Sequence, residues 1–152
     1  MHVVLVNPLI PQNTGSVARL CAGTDTDLHL VGQLGFSLED RLLKRAGLDY
    51  WPGVRLHLHP DFDHLLDRYP PARMALFSSH ATRAYSEFPA EPTGFLVFGQ
   101  ETTGLPPELR RRFSGDLYKI PINAKVRSLN LATSVGIVLY DSLRQLGFPG
   151  LR

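Results

Sequence analysis

The sequence predicts an α/β protein: a parallel sheet flanked by helices, built from residues 1–152 as a single domain. Three observations carry this. Short apolar runs alternate with stretches of helical periodicity, the connections between them are short, and 12 prolines and 13 glycines are spread as punctuation without clustering. Hydrophobic residues make up 43% and charged residues 20% of the 152, and the mean hydropathy is −0.06, which excludes a disordered chain. A chain of this length buries a sizeable core unaided.

The elements follow in order. Residues 2–7 read as a buried strand ended by Pro8. Asn13 or Thr14 is the expected cap of a helix reaching to about Ala22. Residues 28–31 form a second strand, and residues 38–45 a short helix stopped by Gly47. Residues 54–58 alternate in polarity as a strand does. Residues 61–69 are a helix with an acidic first turn, ended by Pro70 and Pro71. Strands follow at 74–78 and 95–98. A helix at 106–113 tolerates prolines in its first turn. Residues 117–120 are the last strand, and residues 129–146 a long helix closed by Gly147, with Ser128 its expected N-cap.

Composition narrows the function classes. The single cysteine, Cys21, forms no intrachain disulfide and excludes a four-thiolate zinc site. No apolar run approaches the roughly 18 residues of a membrane span, and the first eight residues have no basic region before their apolar stretch, so no signal peptide is visible. A reducing cytoplasm is the expected compartment. Net charge is only +2, but 13 of the 16 basic residues are arginine, suited to phosphates and bases and also common in GC-rich genomes. Residues 110–127 hold Arg110, Arg111, Arg112, Lys119, Lys125 and Arg127 against one acid, Asp116. One side of the molecule is therefore expected to be basic and suited to a polyanion.

Phosphate-loop, dinucleotide and nucleophile-elbow motifs are absent. The six histidines include no H-E-x-x-H; His57 and His59 share a face if they lie on a strand, and read as edge positions with no third ligand evident. In a parallel sheet ligands bind at the carboxyl ends of strands, so the loops after Asn7, Ser78, Phe98 and Ile120 are where a site is expected. Three loops are rich in special residues. The first runs from Asn7 through Gln12, Asn13, Thr14 and Gly15 to Arg19, which lies a little over one turn into a helix that starts at Thr14. The second is Gly99-Gln100-Glu101-Thr102-Thr103-Gly104, with two glycines flanking one carboxylate. The third runs from Ile120, Pro121 and Ile122 to Ser128, Leu129 and Asn130. Taken singly, the first and third are adequately explained as capped helix starts.

In order and spacing the three loops resemble the signature motifs of the SPOUT RNA methyltransferases, on their TrmH side, and most closely the TrmL (YibK-type) tRNA 2'-O-methyltransferases. The matching stretches are Asn13-Thr14-Gly15-Ser16-Val17-Ala18-Arg19, Phe98-Gly99-Gln100-Glu101-Thr102-Thr103-Gly104-Leu105-Pro106, and residues 120–131. Residues 45–51 and 144–150 add to the likeness, which covers nearly the whole chain.

The resemblance implies a C-terminal deep trefoil knot, a homodimer through the C-terminal helix, and S-adenosylmethionine as cofactor, with no metal needed. It implies 2'-O-methylation of the wobble nucleotide, C or U, in the tRNA anticodon arm. It implies a cofactor pocket at Phe77, Ser78, Gly99, Glu101, Gly104, Ile120, Pro121, Ile122, Ser128, Leu129 and Asn130. It makes Arg19 catalytic, either taking the ribose proton or orienting the hydroxyl or a phosphate that takes it. Lys125, Arg127 and Tyr140 become candidate RNA contacts. Ser78-Ser79-His80 and Leu131-Ala132-Thr133-Ser134 depart from commoner family residues. The same chemistry on another RNA such as ribosomal RNA, a non-catalytic RNA-binding module of the same fold, and a generic flavodoxin-like binding domain are the competing readings.

Overall fold

The computed structural model describes residues 1–41, 43, 45, 50–70 and 73–152. Seven parallel strands form one sheet: β1 (His2–Val6), β2 (Asp27–Val31), β3 (Leu56–His59), β4 (Met74–Phe77), β5 (Arg83–Ala84), β6 (Phe95–Phe98) and β7 (Leu117–Lys119), in the order β3-β2-β1-β6-β4-β7-β5. The central strands β1, β4 and β6 are almost entirely buried, as apolar runs covered on both faces must be. On one face pack α1 (Pro11–Gly23) and α4 (Leu131–Gln145). On the other pack α2 (Phe62–Arg68) and α3 (Pro107–Arg112).

Local chemistry explains these elements. In α4, Leu131, Val135, Val138, Leu139, Ser142 and Leu143 are buried, the spacing of one helical face. In α1 the buried set is Thr14, Gly15, Val17, Ala18 and Cys21, and burial pushes the Cys21 thiol up to about 12. Asp61 caps α2 by accepting from the His64 amide at 2.8 Å.

Several boundaries differ from the sequence reading. Helix α1 begins at Pro11, not at Asn13 or Thr14. Its N-cap is Ile10, proline occupies the first turn, and Thr14 is fully buried with its hydroxyl unpartnered. Helix α4 is capped by Asn130, not Ser128, because the Asn130 carboxamide oxygen reaches the Thr133 amide at 3.2 Å. The two-residue strand β5 left no apolar signal and is held by its pairing with β7. The strand read at 54–58 begins two residues later, behind a 3-10 turn at Trp51–Gly53. Of the helix read at 38–45, Arg41, Leu43 and Arg45 are helical; its stop at Gly47 lies outside the described residues.

The face under α2 carries an unusual patch. His2, Asp27, His29, His57 and His59 line one face of the sheet from the start of β1 to the end of β3 and meet His64 and Tyr69. His57 and His59 do lie on the edge strand β3 and share a face. Burial, followed by neighbouring imidazole charges, pushes His29 down to about 3. Burial and the adjacent amino terminus push His2 down to about 4. No helix among the described residues is long and apolar enough to cross a membrane.

Candidate functional site

The carboxyl ends of β6, β4 and β7 lie side by side, and the chain leaving them builds an open pocket of about 800 Å³. Phe77 and Phe98, the last residues of β4 and β6, stack at 4.8 Å between ring centroids with planes 17° apart. Ser78 follows Phe77, its amide donating to the Tyr118 carbonyl and its hydroxyl accepting from the His80 amide.

The loop after β6 is closed by reciprocal backbone bonds between Gln100 and Gly104, at 3.2 and 3.0 Å. Two glycines permit this fold-back. A side chain on Gly99 would overlap the backbone of Gly104 and Leu105, and Gly104 has φ +72°.

One hydrogen-bond chain ties the three special loops. The Glu101 carboxylate accepts from the Leu9 amide at 2.8 Å, the Ile10 amide at 3.0 Å and Asn13 Nδ2 at 3.2 Å. Asn13 Oδ1 accepts from Asn130 Nδ2 at 2.9 Å, and Asn130 Oδ1 caps α4. The sequence marks these residues as special, and the structure gives them a common task. Glu101 is committed to organising the start of α1 and fixes the loop behind it.

Phe77, Ser78, Gly99, Glu101, Gly104, Ile120, Pro121, Ile122, Ser128, Leu129 and Asn130 all line this one pocket, as does Arg127. Lys125 does not; it lies in the exposed segment 121–128, where Ile122 and Val126 are also exposed. Arg19 is not in the pocket either. Because α1 starts at Pro11, Arg19 sits more than two turns in, about 12 Å along the axis from the helix start. It lines a second, smaller groove of about 290 Å³ with Ser16, Leu20, Gly23 and Tyr140. There the Tyr50 ring lies 4.5 Å below its guanidinium, and Arg19 Nη2 donates to the Tyr50 hydroxyl at 3.2 Å.

Sequence reasoning missed Asn13 and Arg110 as pocket residues. Asn13 was read as a cap. Arg110 reads in the sequence only as part of the basic run at 110–127, yet it lines the pocket and its Nε is buried without a partner. Arg112, two residues on, turns away to pair with Asp63.

The model of the SpoU rRNA Methylase family matches residues 1–140. A tRNA (cytidine(34)-2'-O)-methyltransferase of Burkholderia pseudomallei (strain 1106a) is 42% identical over 152 residues, covering 98% of this chain and 97% of the relative. A protein of the same description from Burkholderia cenocepacia (strain HI2424) is 41% identical over 152 residues with the same coverage. A solved structure described as giving structural insights into the 2-OH methylation of C/U34 on tRNA aligns with a TM-score of 0.91 at 45% identity, covering 96% of this chain and 95% of that one. The SpoU methyltransferase AviRb from Streptomyces viridochromogenes, in complex with AdoMet, aligns with a TM-score of 0.84 over 96% of this chain and 60% of that one; at 21% identity this speaks for the fold alone.

Proposed function

Since the chain belongs to the SpoU rRNA methylase family, we propose that it is a cytoplasmic, S-adenosylmethionine-dependent tRNA 2'-O-methyltransferase acting on the wobble ribose, C or U. The observation that carries this is the convergence of three loops on one pocket, locked by the Glu101–Asn13–Asn130 chain. Near-full-length likeness to proteins described as acting at position 34 supports the substrate.

The pocket suits the cofactor. Its volume is within the usual range for small-molecule sites, it combines stacked aromatic rings with polar strand exits, and Arg110 lines its wall. Bound S-adenosylmethionine would supply a sulfonium methyl group for the ribose oxygen, the electron pair of the broken carbon–sulfur bond staying on sulfur and the hydroxyl proton passing to Arg19 or to a phosphate. Phe77, Ser78, Gly99, Gly104 and the exits 120–122 and 128–130 would hold the cofactor. Glu101 acts one step back, fixing the loop.

Arg19 takes the ribose proton, or orients the hydroxyl or a phosphate that takes it. Its place outside the pocket supports a composite site, in which Arg19 and Tyr140 of one protomer face the cofactor pocket of its partner in a homodimer. Tyr140, 47% exposed on the C-terminal helix α4, is apolar surface suited to such an interface. Lys125, Arg127 and the exposed Ile122 and Val126 form the mixed basic and apolar rim along which the anticodon arm lies. The chain carries the C-terminal trefoil knot that the motifs imply; residues 119–122 and 126–131 line the same pocket as the loops after β4 and β6. The 152 residues act as one catalytic domain.

The test is incubation with S-adenosylmethionine and unmodified total tRNA, followed by nucleoside mass spectrometry. Formation of 2'-O-methylcytidine or 2'-O-methyluridine is the expected result. Cofactor binding with no methylated nucleoside would point to another RNA, and loss of both would sink the reading.

A further inference from the structure

The histidine patch begins at the amino-terminal end of the sheet, opposite the strand ends that build the pocket. His2 and Asp27 are the first residues of β1 and β2, paired in register, and His29 is two residues further along β2. Interior positions of a parallel sheet ordinarily carry Val, Ile or Leu. Here one ligand atom from each of His2, Asp27 and His29 lies within 4.8 Å of the other two. His2 Nδ1 and His29 Nε2 face each other at 3.0 Å.

We propose that His2 Nδ1, His29 Nε2 and a carboxylate oxygen of Asp27 form a binding site for a divalent transition ion of the zinc class. Two imidazoles and one carboxylate are a common ligand set for such ions. With metal–nitrogen bonds of about 2.0–2.1 Å, nitrogens 3.0 Å apart subtend roughly 90° at the metal. An opening of a few tenths of an ångström brings them to tetrahedral spacing. His2 and Asp27 are partly exposed, so water reaches the fourth position.

The surroundings supply the outer contacts that metal-binding imidazoles require. One tautomer assignment serves them all. His29 Nδ1–H donates to His59 Nε2 at 3.0 Å, and His59 Nδ1–H donates to His64 Nδ1 at 3.0 Å. This fixes the His29 Nε2 lone pair toward His2. His57 Nε2–H donates to Asp27 Oδ2 at 2.8 Å and accepts at Nδ1 from the Tyr69 hydroxyl at 3.0 Å. Arg55 holds the other Asp27 oxygen at 2.7 Å. Each carboxylate oxygen keeps a further lone pair for the ion. The ion would pin the starts of β1 and β2 together, away from the methyl-transfer pocket.

The test uses the untagged full-length protein, stripped with chelator and titrated with Zn²⁺ and with Co²⁺. One Zn²⁺ retained per chain after gel filtration, and visible Co²⁺ absorption of a four-coordinate site saturating at one equivalent, are expected. His2→Gln, at a partly exposed position that need not disturb the core, should weaken binding by about tenfold or more. His64→Gln, at the far end of the relay, should keep the one-to-one stoichiometry. Failure of the wild-type chain to retain Zn²⁺, undiminished binding by His2→Gln, or stoichiometry that follows His64 instead of His2 overturns the proposal.

Discussion

Replacing Glu101 with alanine removes the anchor that holds the first and second loops together. The carboxylate accepts three hydrogen bonds, from the amides of Leu9 and Ile10 at 2.8 and 3.0 Å and from Asn13 Nδ2 at 3.2 Å. Bonds to an ionised acceptor contribute about 1.5–3 kcal/mol each when sheltered, and less when water competes. The Leu9 bond is partly buried and counts fully; the Ile10 bond is exposed and the Asn13 bond long, so each counts a few tenths to one. Glu101→Ala should therefore destabilise the fold by about 2–4 kcal/mol. For a domain of this size that lowers the Tm by roughly 5–15 °C. Urea unfolding followed by circular dichroism should show a lower midpoint at an unchanged slope. Glu101→Gln keeps one acceptor oxygen and should fall between wild type and alanine. An alanine variant within about 0.5 kcal/mol of wild type would refute the anchoring role, because an ordinary surface substitution costs no more.

Other expected outcomes follow from single contacts. Gly99→Ala forces a side chain into the Gly104–Leu105 backbone, so S-adenosylmethionine affinity, read by calorimetry, should fall by about tenfold or more with the loop displaced. Arg19→Ala should abolish methyl transfer while leaving cofactor affinity largely intact, since Arg19 lines none of its own protomer's pocket. Tyr50→Ala removes an exposed cation–π contact worth about 0.5–1 kcal/mol and should lower kcat roughly two- to fivefold without weakening cofactor binding. In chelator-treated protein, stability should fall as the solution is acidified below pH 6.5. His29, held down to about 3 in the fold, then binds fewer protons than its unfolded counterpart. Its contribution is fully present above pH 6.5 and is lost progressively toward pH 3, on the order of 3 kcal/mol by pH 4. Urea midpoints at pH 7 and pH 4 check it, and His29→Asn should reduce the difference, leaving the part due to His2, which is held down to about 4.

Much of this was legible in the sequence because apolar runs bounded by proline and glycine leave little choice of element. Phe95–Phe98 reads as a buried strand on its own composition, and the strand-end rule then directs attention to Gly99–Gly104. What was not legible depended on contacts between distant residues. Pro11 opens α1 because its missing amide costs nothing there, and that earlier start carries Arg19 away from the strand ends. Asn130 outcompeted Ser128 as a cap because its carboxamide serves both Thr133 and Asn13, a partner 117 positions away. The two-residue strand β5 exists only through its pairing with β7. His2, His29, His57, His59 and His64 are scattered over the first half of the chain, and only the register of β1, β2 and β3 gathers them on one face.

The most direct test of the whole account is transfer of labelled methyl from S-adenosylmethionine to unmodified tRNA, with nuclease mapping of the labelled ribose. The account predicts label on the 2'-oxygen of the wobble nucleotide and on no other ribose. Label confined to a different position, or to a base, would contradict it.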